Sequence, residues 1–267
     1  MNAYDNNNDY VIHNGNIIKK QALTYLDVER AFRFGDSWFE TMFVHNGEIR
    51  YWDYHKRRLI KAFEAAGEIC EGIEEQIREL YAYYGDADAR VRFTVFRVHG
   101  HLYTPLSDAY SYLLEWEKWQ IPDYSMSRID FSEDIILFSK RLFPGKSGNS
   151  APYIQASKEA AQRKLTQIVL CNEKGEITET ANANLFWRIG DIWYTPDLNS
   201  GCVEGVMRAA LLRFFKEQGI TCREVSAAKE QLFRAEEICV TNAIIGVKNV
   251  HLLADKALHI HVEKIFE

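Results

Sequence analysis

Arg90-Val91-Arg92-Phe93-Thr94-Val95 decides the fold class, because polar and apolar side chains alternate along it without a break. Alternation with a period of two indicates a strand that buries one face. Upstream, His13-Asn14-Gly15-Asn16 and His45-Asn46-Gly47-Glu48 each place an Asn-Gly pair between apolar runs. This pair is the strongest short-range signal of a β-hairpin. Residues 11–52 are therefore predicted to be strands joined by tight turns, and two more strands are expected over Arg90–Val98 and Ala109–Glu115.

Helical periodicity separates these strands. From Asp53, which is predicted to be a helix N-cap, apolar residues recur at the spacing of one helix face, and the pattern repeats over Glu71–Tyr84. Further helices are predicted over residues 151–164 and from Gly205 to Gln218, with short strands around them, the first near residues 135–138. Strands dominate and helices are segregated, which favours an α+β fold over a doubly wound parallel sheet.

A polar segment broken by proline, Glu117-Lys118-Trp119-Gln120-Ile121-Pro122-Asp123, is typical of a linker. The chain of 267 residues is long enough for two ordinary domains. We therefore expect a smaller N-terminal α/β domain over residues 1–116 and a larger C-terminal one over 124–267, joined by the linker 117–123.

Composition narrows the classes of function. The net charge of −6 argues against a nucleic-acid partner, since binding phosphates requires a basic face. No run of about 20 apolar residues, the length of a membrane span, occurs. The polar N-terminus is unlike a secretory signal, so a cytoplasmic location is expected. The five cysteines form no CxxC pair, and neither they nor the histidines have the spacing of a metal site.

Three segments could carry chemistry, although each has an ordinary structural alternative. Lys146 lies in the glycine-containing loop 143–149, where most lysines are simply exposed charges. Residues 200–208 place glycines before a helix, which suits either an anion site or a plain cap. Residues 178–185 surround one acid, Glu179, with small polar side chains, as an ordinary polar turn also would. The chain contains no GxSxG, HExxH or dinucleotide-binding glycine motif.

In their order along the chain, these segments resemble the class IV (fold-type IV) pyridoxal-phosphate enzymes. That family includes branched-chain aminotransferases, D-amino-acid aminotransferases and aminodeoxychorismate lyases. The resemblance extends from about Val11 to Val250. The matching stretches are Glu29 to Thr41, His55 to Leu59, Lys146-Ser147-Gly148-Asn149 with Lys158-Glu159-Ala160, Glu179 to Phe186, Tyr194-Thr195-Pro196 and Gly205-Val206-Met207-Arg208.

The resemblance implies a role for each matching position. Lys146 is similar to the lysine that binds pyridoxal 5'-phosphate covalently, and Glu179 to the acid that bonds the pyridine nitrogen. Arg58 matches the arginine that holds the cofactor phosphate, and the backbone N–H groups of Val206 and Met207 match those that assist it. The resemblance also implies that the cofactor lies in the cleft between the domains.

The remaining implied residues line the cofactor pocket or meet the small-molecule amino substrate. Asn184 and Asn242 match pocket positions, whereas Phe39 and Arg97 match positions that meet the substrate side chain and carboxylate. The family often has Gly and a further Arg after Arg97, but this chain has Val98-His99-Gly100-His101-Leu102-Tyr103. The carboxylate contacts therefore stay open. By resemblance we also expect a homodimer, with a loop of the N-terminal domain completing the partner's site.

The chemistry implied by the resemblance also predicts the protonation state of Lys146. A protonated pyridine ring stabilises a carbanion at the substrate carbon that carries the amine, and a lysine amine beside that carbon can move protons. Only the neutral amine can accept a proton. Burial and the charge environment of the cofactor should therefore lower the pKa of Lys146.

Two reactions compete within the family. A 4-amino-4-deoxychorismate lyase releases pyruvate and 4-aminobenzoate, a folate precursor, whereas an aminotransferase of branched-chain or D-amino acids yields a keto acid. Asn149, three residues after Lys146 and without a following Tyr, resembles the lyases, as does the short length. Phe39-Glu40-Thr41 resembles the aminotransferases equally. The lyase is the favoured interpretation and the aminotransferase the alternative. A non-catalytic module that binds the cofactor is disfavoured, because Lys146 and Glu179 are both present.

Overall fold

The structure, a computed structural model, describes residues 9–63, 66–84, 88–100, 102–107, 109–120, 127–140 and 145–252. The chain forms two compact units. The first comprises Met1–Ile121 and Phe143–Asn149, and the second comprises Pro122–Leu142 and Ser150–Glu267. Both units mix helices with sheets, which are antiparallel in the first unit and mixed in the second, so the predicted α+β class is confirmed.

The first unit is built on a six-stranded antiparallel sheet in the order β2-β1-β6-β5-β3-β4. Three helices accompany it. The elements are β1 Tyr10–His13, β2 Asn16–Lys19, α1 Glu29–Phe34, β3 Ser37–His45, β4 Glu48–Ile49, α2 Trp52–Ala62, α3 Ala66–Tyr84, β5 Ala89–Arg97 and β6 Tyr110–Lys118.

Both predicted hairpins are confirmed. Asn14-Gly15 joins β1 to β2, and Asn46-Gly47 joins β3 to β4. All four turn residues have positive φ, from 48° at Asn14 to 81° at Gly15. Two consecutive residues with positive φ give a turn whose twist matches that of the flanking strands, and Asn and Gly tolerate this conformation best.

Helices α2 and α3 cover one face of this sheet. Their apolar stripes pack on the alternate buried residues of β3, β5 and β6, which include Met42, Phe93 and Leu114. The predicted cap at Asp53 is wrong, because α2 begins at Trp52 and its N-cap is Tyr51, at φ 60°. Asp53 instead lies in the first turn, where a carboxylate interacts favourably with the helix dipole.

The second unit contains two sheets. A five-stranded sheet has the order β12-β11-β10-β13-β14, and a four-stranded sheet has the order β15-β7-β8-β9. The elements are β7 Arg128–Leu137, α4 Ala151–Gln162, β8 Gln167–Asn172, β9 Ile177–Thr180, β10 Asn184–Ile189, β11 Ile192–Pro196, α5 Val206–Glu217, β12 Cys222–Val225, α6 Glu230–Phe233, β13 Glu237–Asn242, β14 Gly246–Asn249 and β15 His251–Leu252.

Each sheet of the second unit has one principal helix on it. Helix α4 packs on β7 and β8 through Ala156 and Ala160. Helix α5 packs Leu211 and Phe215 on the five-stranded sheet. The strand predicted near residues 135–138 is longer than expected, since β7 begins at Arg128 and its pairing with β8 shifts register on the way. This irregularity interrupts the alternation that marks the other strands.

The predicted linker needs a correction at its start. Glu117 and Lys118 belong to β6, where they pair with Arg90 and Ala89. The polar side chains that suggested a linker are those of a strand end, and residues 121–123 lie outside the described residues. The segment Phe143–Asn149, expected in the C-terminal domain, groups with the first unit. Among the described residues, no helix has the length and apolar character needed to span a membrane.

Candidate active site

Lys146 is fixed by its backbone. The carbonyl oxygen of Lys146 accepts a hydrogen bond of 2.9 Å from the N–H of Phe39, and the N–H of Gly148 donates one of 2.8 Å to the carbonyl of Ser37. Ser147 lies between them as an antiparallel bridge partner of Trp38. Residues 146–148 thus pair with the start of β3, on the edge that β5 does not occupy. A lysine in a paired segment has fewer backbone conformations than one in an open loop.

The close approach of this segment requires glycine at position 148. A Cβ atom there would lie 2.3 Å from the Ser37 Oγ and 3.1 Å from the carbonyl oxygen of Gly35. Gly145 has φ 71°, and a Cβ on it would lie 3.0 Å from the Cβ of Ala62 on α2. The glycines that flank Lys146 therefore let it approach both β3 and α2.

The amine of Lys146 lies in an environment that favours its neutral form. Its Nζ is 4.4 Å from the centroid of the Phe39 ring. Burial, and next the guanidinium of Arg58, lower the pKa of Lys146 to about 7, while Glu40 opposes the shift. The predicted lowering is confirmed. A substantial fraction of the amine is then neutral near pH 7, as a proton acceptor or nucleophile requires.

Arg58 is held in a buried network that the sequence reasoning missed. Its Nε and Nη2 donate to the two carboxylate oxygens of Glu40, at 2.8 and 2.5 Å. His55 Nδ1 lies 2.6 Å from Glu40 Oε2. All three side chains are buried. The guanidinium and the imidazole hold the pKa of Glu40 at about 2 against the opposing effect of its burial.

The structure places Arg92, rather than Arg97, against the Phe39 ring that Lys146 contacts. The guanidinium carbon of Arg92 is 3.8 Å from the centroid of the Phe39 ring, the same ring that the lysine contacts. Arg97 Nη1 donates to Asp36 at 2.7 Å, and its guanidinium packs over Trp38. The difference follows from the strand period, because residues five apart face opposite sides of a sheet. Arg97 as a substrate contact stays a prediction.

In the second unit, Glu179 is the centre of a separate polar cluster. It is a buried residue of β9. Its Oε1 accepts a hydrogen bond of 2.7 Å from the hydroxyl of Tyr153 on α4. Its Oε2 accepts one of 3.0 Å from the N–H of Val203, and the amide of Asn184 lies 3.5 Å from the same oxygen. Donors on three segments therefore fix the orientation of this carboxylate.

Val206 and Met207 are the first two residues of α5, and Gly205 is its N-cap. The backbone N–H groups of a first helical turn have no acceptor within the helix, so they can bind an anion. A Cβ on Gly205 would lie 1.7 Å from Asn184 Oδ1, closer than any contact permits. Glycine at this position therefore lets the N-terminus of α5 approach β10.

A buried hydroxyl next to this helix start was also missed. Thr241 is fully buried, and its Oγ1 has no hydrogen-bond partner among the described residues. Thr241 pairs with Asn184 across β10 and β13, so the two side chains share one face of the sheet. A buried polar atom without a hydrogen-bond partner lowers the stability of the fold. A bound ligand can supply the missing partner.

Asn242, the predicted pocket residue, uses its side chain locally. Its Oδ1 accepts hydrogen bonds from the N–H groups of Ile244 and Ile245, both at 2.9 Å, and its Nδ2 donates to the carbonyl of Asn182. The side chain stabilises the turn that follows β13. A cofactor contact of Asn242 stays a prediction.

Several of the missed residues left a signal in the sequence. Glu40 occupies a position in β3 where the alternation of Trp38, Met42 and Val44 demands an apolar side chain. His55 and Arg58 are three residues apart and therefore share a helix face. No local signal marks Tyr153 or Thr241, because the importance of each depends on tertiary contacts.

Comparison with known proteins gives a consistent family. The sequence model of the class IV amino-transferases matches residues 37–253. The aminodeoxychorismate lyase of Vibrio harveyi is 22% identical over 83% of this chain and 84% of its own length. The D-alanine aminotransferase of Bacillus licheniformis is 22% identical over 89% of this chain and 86% of its own length.

Solved structures share the fold. The branched-chain amino acid aminotransferase of Escherichia coli superposes with a TM-score of 0.81 at 19% identity, over 94% of this chain and 88% of that one. A Legionella pneumophila protein provisionally described as 4-amino-4-deoxychorismate lyase gives 0.80 at 18% identity, over 93% and 94%. A second branched-chain amino acid aminotransferase, solved with pyridoxamine 5'-phosphate, gives 0.78 at 21% identity, over 91% and 85%.

Proposed function

Because this chain belongs to the class IV aminotransferase family, we propose that it is a 4-amino-4-deoxychorismate lyase. Membership makes it a pyridoxal-phosphate-dependent enzyme, since the family depends on this cofactor. The proposed reaction converts 4-amino-4-deoxychorismate into pyruvate and 4-aminobenzoate.

The observation that carries the choice of lyase is Asn149, which lies three residues after Lys146 without a following Tyr and resembles the lyases there. Two sequences named aminodeoxychorismate lyase, from Vibrio harveyi and Bacillus subtilis, support the choice, since each aligns over more than four-fifths of this chain and of itself. The Legionella pneumophila structure described as a lyase adds to this support.

The residues of both units fit the cofactor. In the first unit, Lys146 supplies an amine with a lowered pKa, and Arg58 supplies a buried guanidinium. In the second unit, the N-terminus of α5 and the buried Thr241 hydroxyl suit a phosphate group. Glu179 is a fixed carboxylate, as a protonated ring nitrogen requires.

When bound, pyridoxal phosphate withdraws electrons from the substrate carbon that carries the amine. Lys146 acts on that carbon, where its neutral Nζ accepts the proton and its charged form returns a proton. Arg92 lies over the same phenyl ring as Lys146 and can hold a substrate carboxylate by a charge-assisted hydrogen bond. Phe39 shields the amine from water on one side.

The decisive experiment is a product assay without any keto-acid acceptor. Purified chain with 4-amino-4-deoxychorismate should release pyruvate, measured with coupled lactate dehydrogenase, and an equal amount of 4-aminobenzoate, measured by fluorescence. Borohydride should fix the cofactor to the peptide that contains Lys146. A chain that binds the cofactor but releases no pyruvate would contradict the lyase assignment.

The second candidate function is a class IV aminotransferase. It is supported by the Bacillus licheniformis D-alanine aminotransferase, which aligns over as much of this chain as the lyases do. A panel of L- and D-amino acids with 2-oxoglutarate separates the two functions. An aminotransferase produces glutamate only when the acceptor is present, whereas a lyase does not need it.

A further inference from the structure

Glu40 is an ionised side chain in a row of core residues. It lies on the same face of β3 as Trp38, Met42 and Val44, and these three residues belong to the core that α2 and α3 cover. Only 1% of Glu40 is exposed. A buried ion pair is seldom more stable than apolar residues of the same size, because desolvation offsets the attraction. Stability alone therefore gives no reason for this carboxylate, which points to a role at the site.

The geometry shows what the carboxylate does. Both of its oxygens receive N–H groups from one edge of the Arg58 guanidinium, and this two-bond contact fixes the plane of the guanidinium. His55, one helical turn before Arg58 on α2, holds Oε2 from the other direction. Burial lowers the pKa of His55, so the imidazole is neutral and donates from Nδ1.

We propose that Glu40 is a positioning residue that fixes the Arg58 guanidinium for the cofactor phosphate, with His55 as its neutral support. The proposal rests on the proposed function, in which Arg58 binds that phosphate. Arginine binds phosphate through a planar fork, so a guanidinium that turns out of its plane loses affinity even though its charge remains. Glu40 and His55 need not touch the cofactor themselves.

The test compares two ligands that differ only in the phosphate, pyridoxal 5'-phosphate and pyridoxal. The affinity of the full chain for each is measured by absorbance after removal of bound cofactor. The ratio of the two affinities isolates the phosphate contact from the reaction at Lys146. Glu40→Gln should lower this ratio at least about tenfold, because the amide group presents N–H to the guanidinium where a carboxylate oxygen stood. Affinity for pyridoxal should change less than about threefold.

A double-mutant cycle tests whether Glu40 acts through Arg58. Arg58→Gln alone should lower the ratio further than Glu40→Gln alone. The double variant should have the ratio of Arg58→Gln, since no guanidinium is left to position. Equal additional losses in both backgrounds would show that Glu40 acts independently of Arg58 and would overturn the proposal.

His55 provides a second route if Glu40→Gln folds poorly. His55→Asn keeps a neutral N–H donor near the position of Nδ1, whereas His55→Leu removes it. We expect the asparagine variant to keep the ratio within about threefold of the unmodified chain and the leucine variant to lose about fivefold or more. Equal ratios in the two variants would contradict the support role of His55.

Glu237→Gln is the matched control. Glu237 Oε1 accepts from both the Nε and the Nη2 of Arg188 in the second unit, so this change also neutralises a glutamate that forms two hydrogen bonds with an arginine. It should leave the ratio unchanged. A chain that binds neither ligand at Lys146 overturns the proposed function and this inference with it. A chain that binds both, with an unchanged ratio in Glu40→Gln, overturns the inference alone.

Discussion

The clusters around Lys146 and Glu179 are both buried and polar, but they are built from different forces. In the first unit, opposite charges compensate one another, because the Glu40 carboxylate forms an ion pair with the Arg58 guanidinium. In the second unit, Glu179 is fixed by a phenol hydroxyl and a backbone N–H, and the start of α5 contributes further N–H groups. A network of opposite charges is sensitive to the loss of any member, whereas a carboxylate that is held by neutral donors loses one hydrogen bond when one donor is removed.

This difference suits two chemical tasks. A lysine that must lose and regain a proton needs nearby charges that set its pKa, and Arg58 and Glu40 act on Lys146 in opposite directions. A carboxylate that must stay ionised needs donors that stay in place, and Glu179 has them. Substitutions in the pair of Glu40 and Arg58 should therefore affect stability and chemistry together, and those at Glu179 should separate them.

The largest effect is expected for Lys146→Ala. It removes the amine that we propose attaches the cofactor and moves the proton, so turnover should fall by at least about 10⁴-fold. The fold should be kept, because the pairing of residues 146–148 with β3 uses backbone atoms. Borohydride trapping, a pyruvate assay and circular dichroism measure the three properties. Wild-type turnover would refute the assignment of Lys146.

Arg58→Ala should be the most destabilising of these changes. It leaves the Glu40 carboxylate buried without its guanidinium, which costs about 3–5 kcal/mol of the free energy of unfolding. Cofactor affinity should fall more than turnover at saturating cofactor. Urea unfolding and cofactor titration test the two parts. If stability is unchanged, the charge network is less important than its burial indicates.

Glu179→Gln should separate chemistry from stability. The amide oxygen can still accept from the Val203 N–H, and the Tyr153 hydroxyl can rotate to accept from the amide nitrogen, so the free energy of unfolding should change by less than about 1 kcal/mol. Turnover should fall about 100-fold, because a neutral side chain no longer stabilises positive charge on the cofactor ring. Chemical unfolding and the product assay measure the two quantities, and equal damage to both would contradict the contrast between the clusters.

The rate at which cofactor reacts with Lys146 should depend on pH with a midpoint near 7. Below this value the amine is protonated and the rate should fall about tenfold per pH unit, and above it the rate should level off. Lysines with an ordinary pKa would continue to gain reactivity up to about pH 10. Stopped-flow absorbance across the neutral range and about two pH units to either side follows the reaction. A midpoint above about pH 9 would show that the surroundings do not neutralise the amine.

The smallest effect is expected for Thr241→Val. It should leave stability without cofactor unchanged or higher, but it should lower the affinity for the cofactor. Without cofactor, losing a buried hydroxyl that has no partner among the described residues should leave stability unchanged or raise it by up to about 1 kcal/mol. Cofactor affinity should fall about fivefold, because the phosphate loses a donor. Thermal melts with and without cofactor measure both. Lower stability without cofactor would mean that the hydroxyl serves the fold alone.

The sequence predicted local features better than contacts between residues that are far apart in the chain. Both Asn-Gly hairpins and the start of α5 follow from local rules, since two positive φ angles and an N-terminal glycine are properties of a few adjacent residues. The ordered motifs also indicated the family. The chemistry that this family implies predicted the lowered pKa of Lys146. The Glu40 network could not be read locally, because it joins β3 to α2 across 15 and 18 residues.

Arg92 was not predicted from the sequence. The resemblance implied Arg97 as a substrate contact, which stays a prediction, and strand register gives Phe39 a different arginine as its neighbour. Phe39 pairs with Thr94, so it shares a face with Arg92 and not with Arg97. The period of two was already visible in the sequence. The pairing register, which depends on where β3 and β5 meet, was not.

The pairing of residues 146–148 with β3 also determines when the first unit can be completed while the ribosome synthesises the chain. On the edge of β3 that β5 does not occupy, the partner of Trp38 is Ser147, which is far later in the chain. A nascent polypeptide that has emerged only as far as β6 holds the whole six-stranded sheet but lacks the segment that carries the reactive amine. The first unit is therefore complete only after the ribosome has released part of the second, so a gene truncated after β6 would encode a sheet without its lysine.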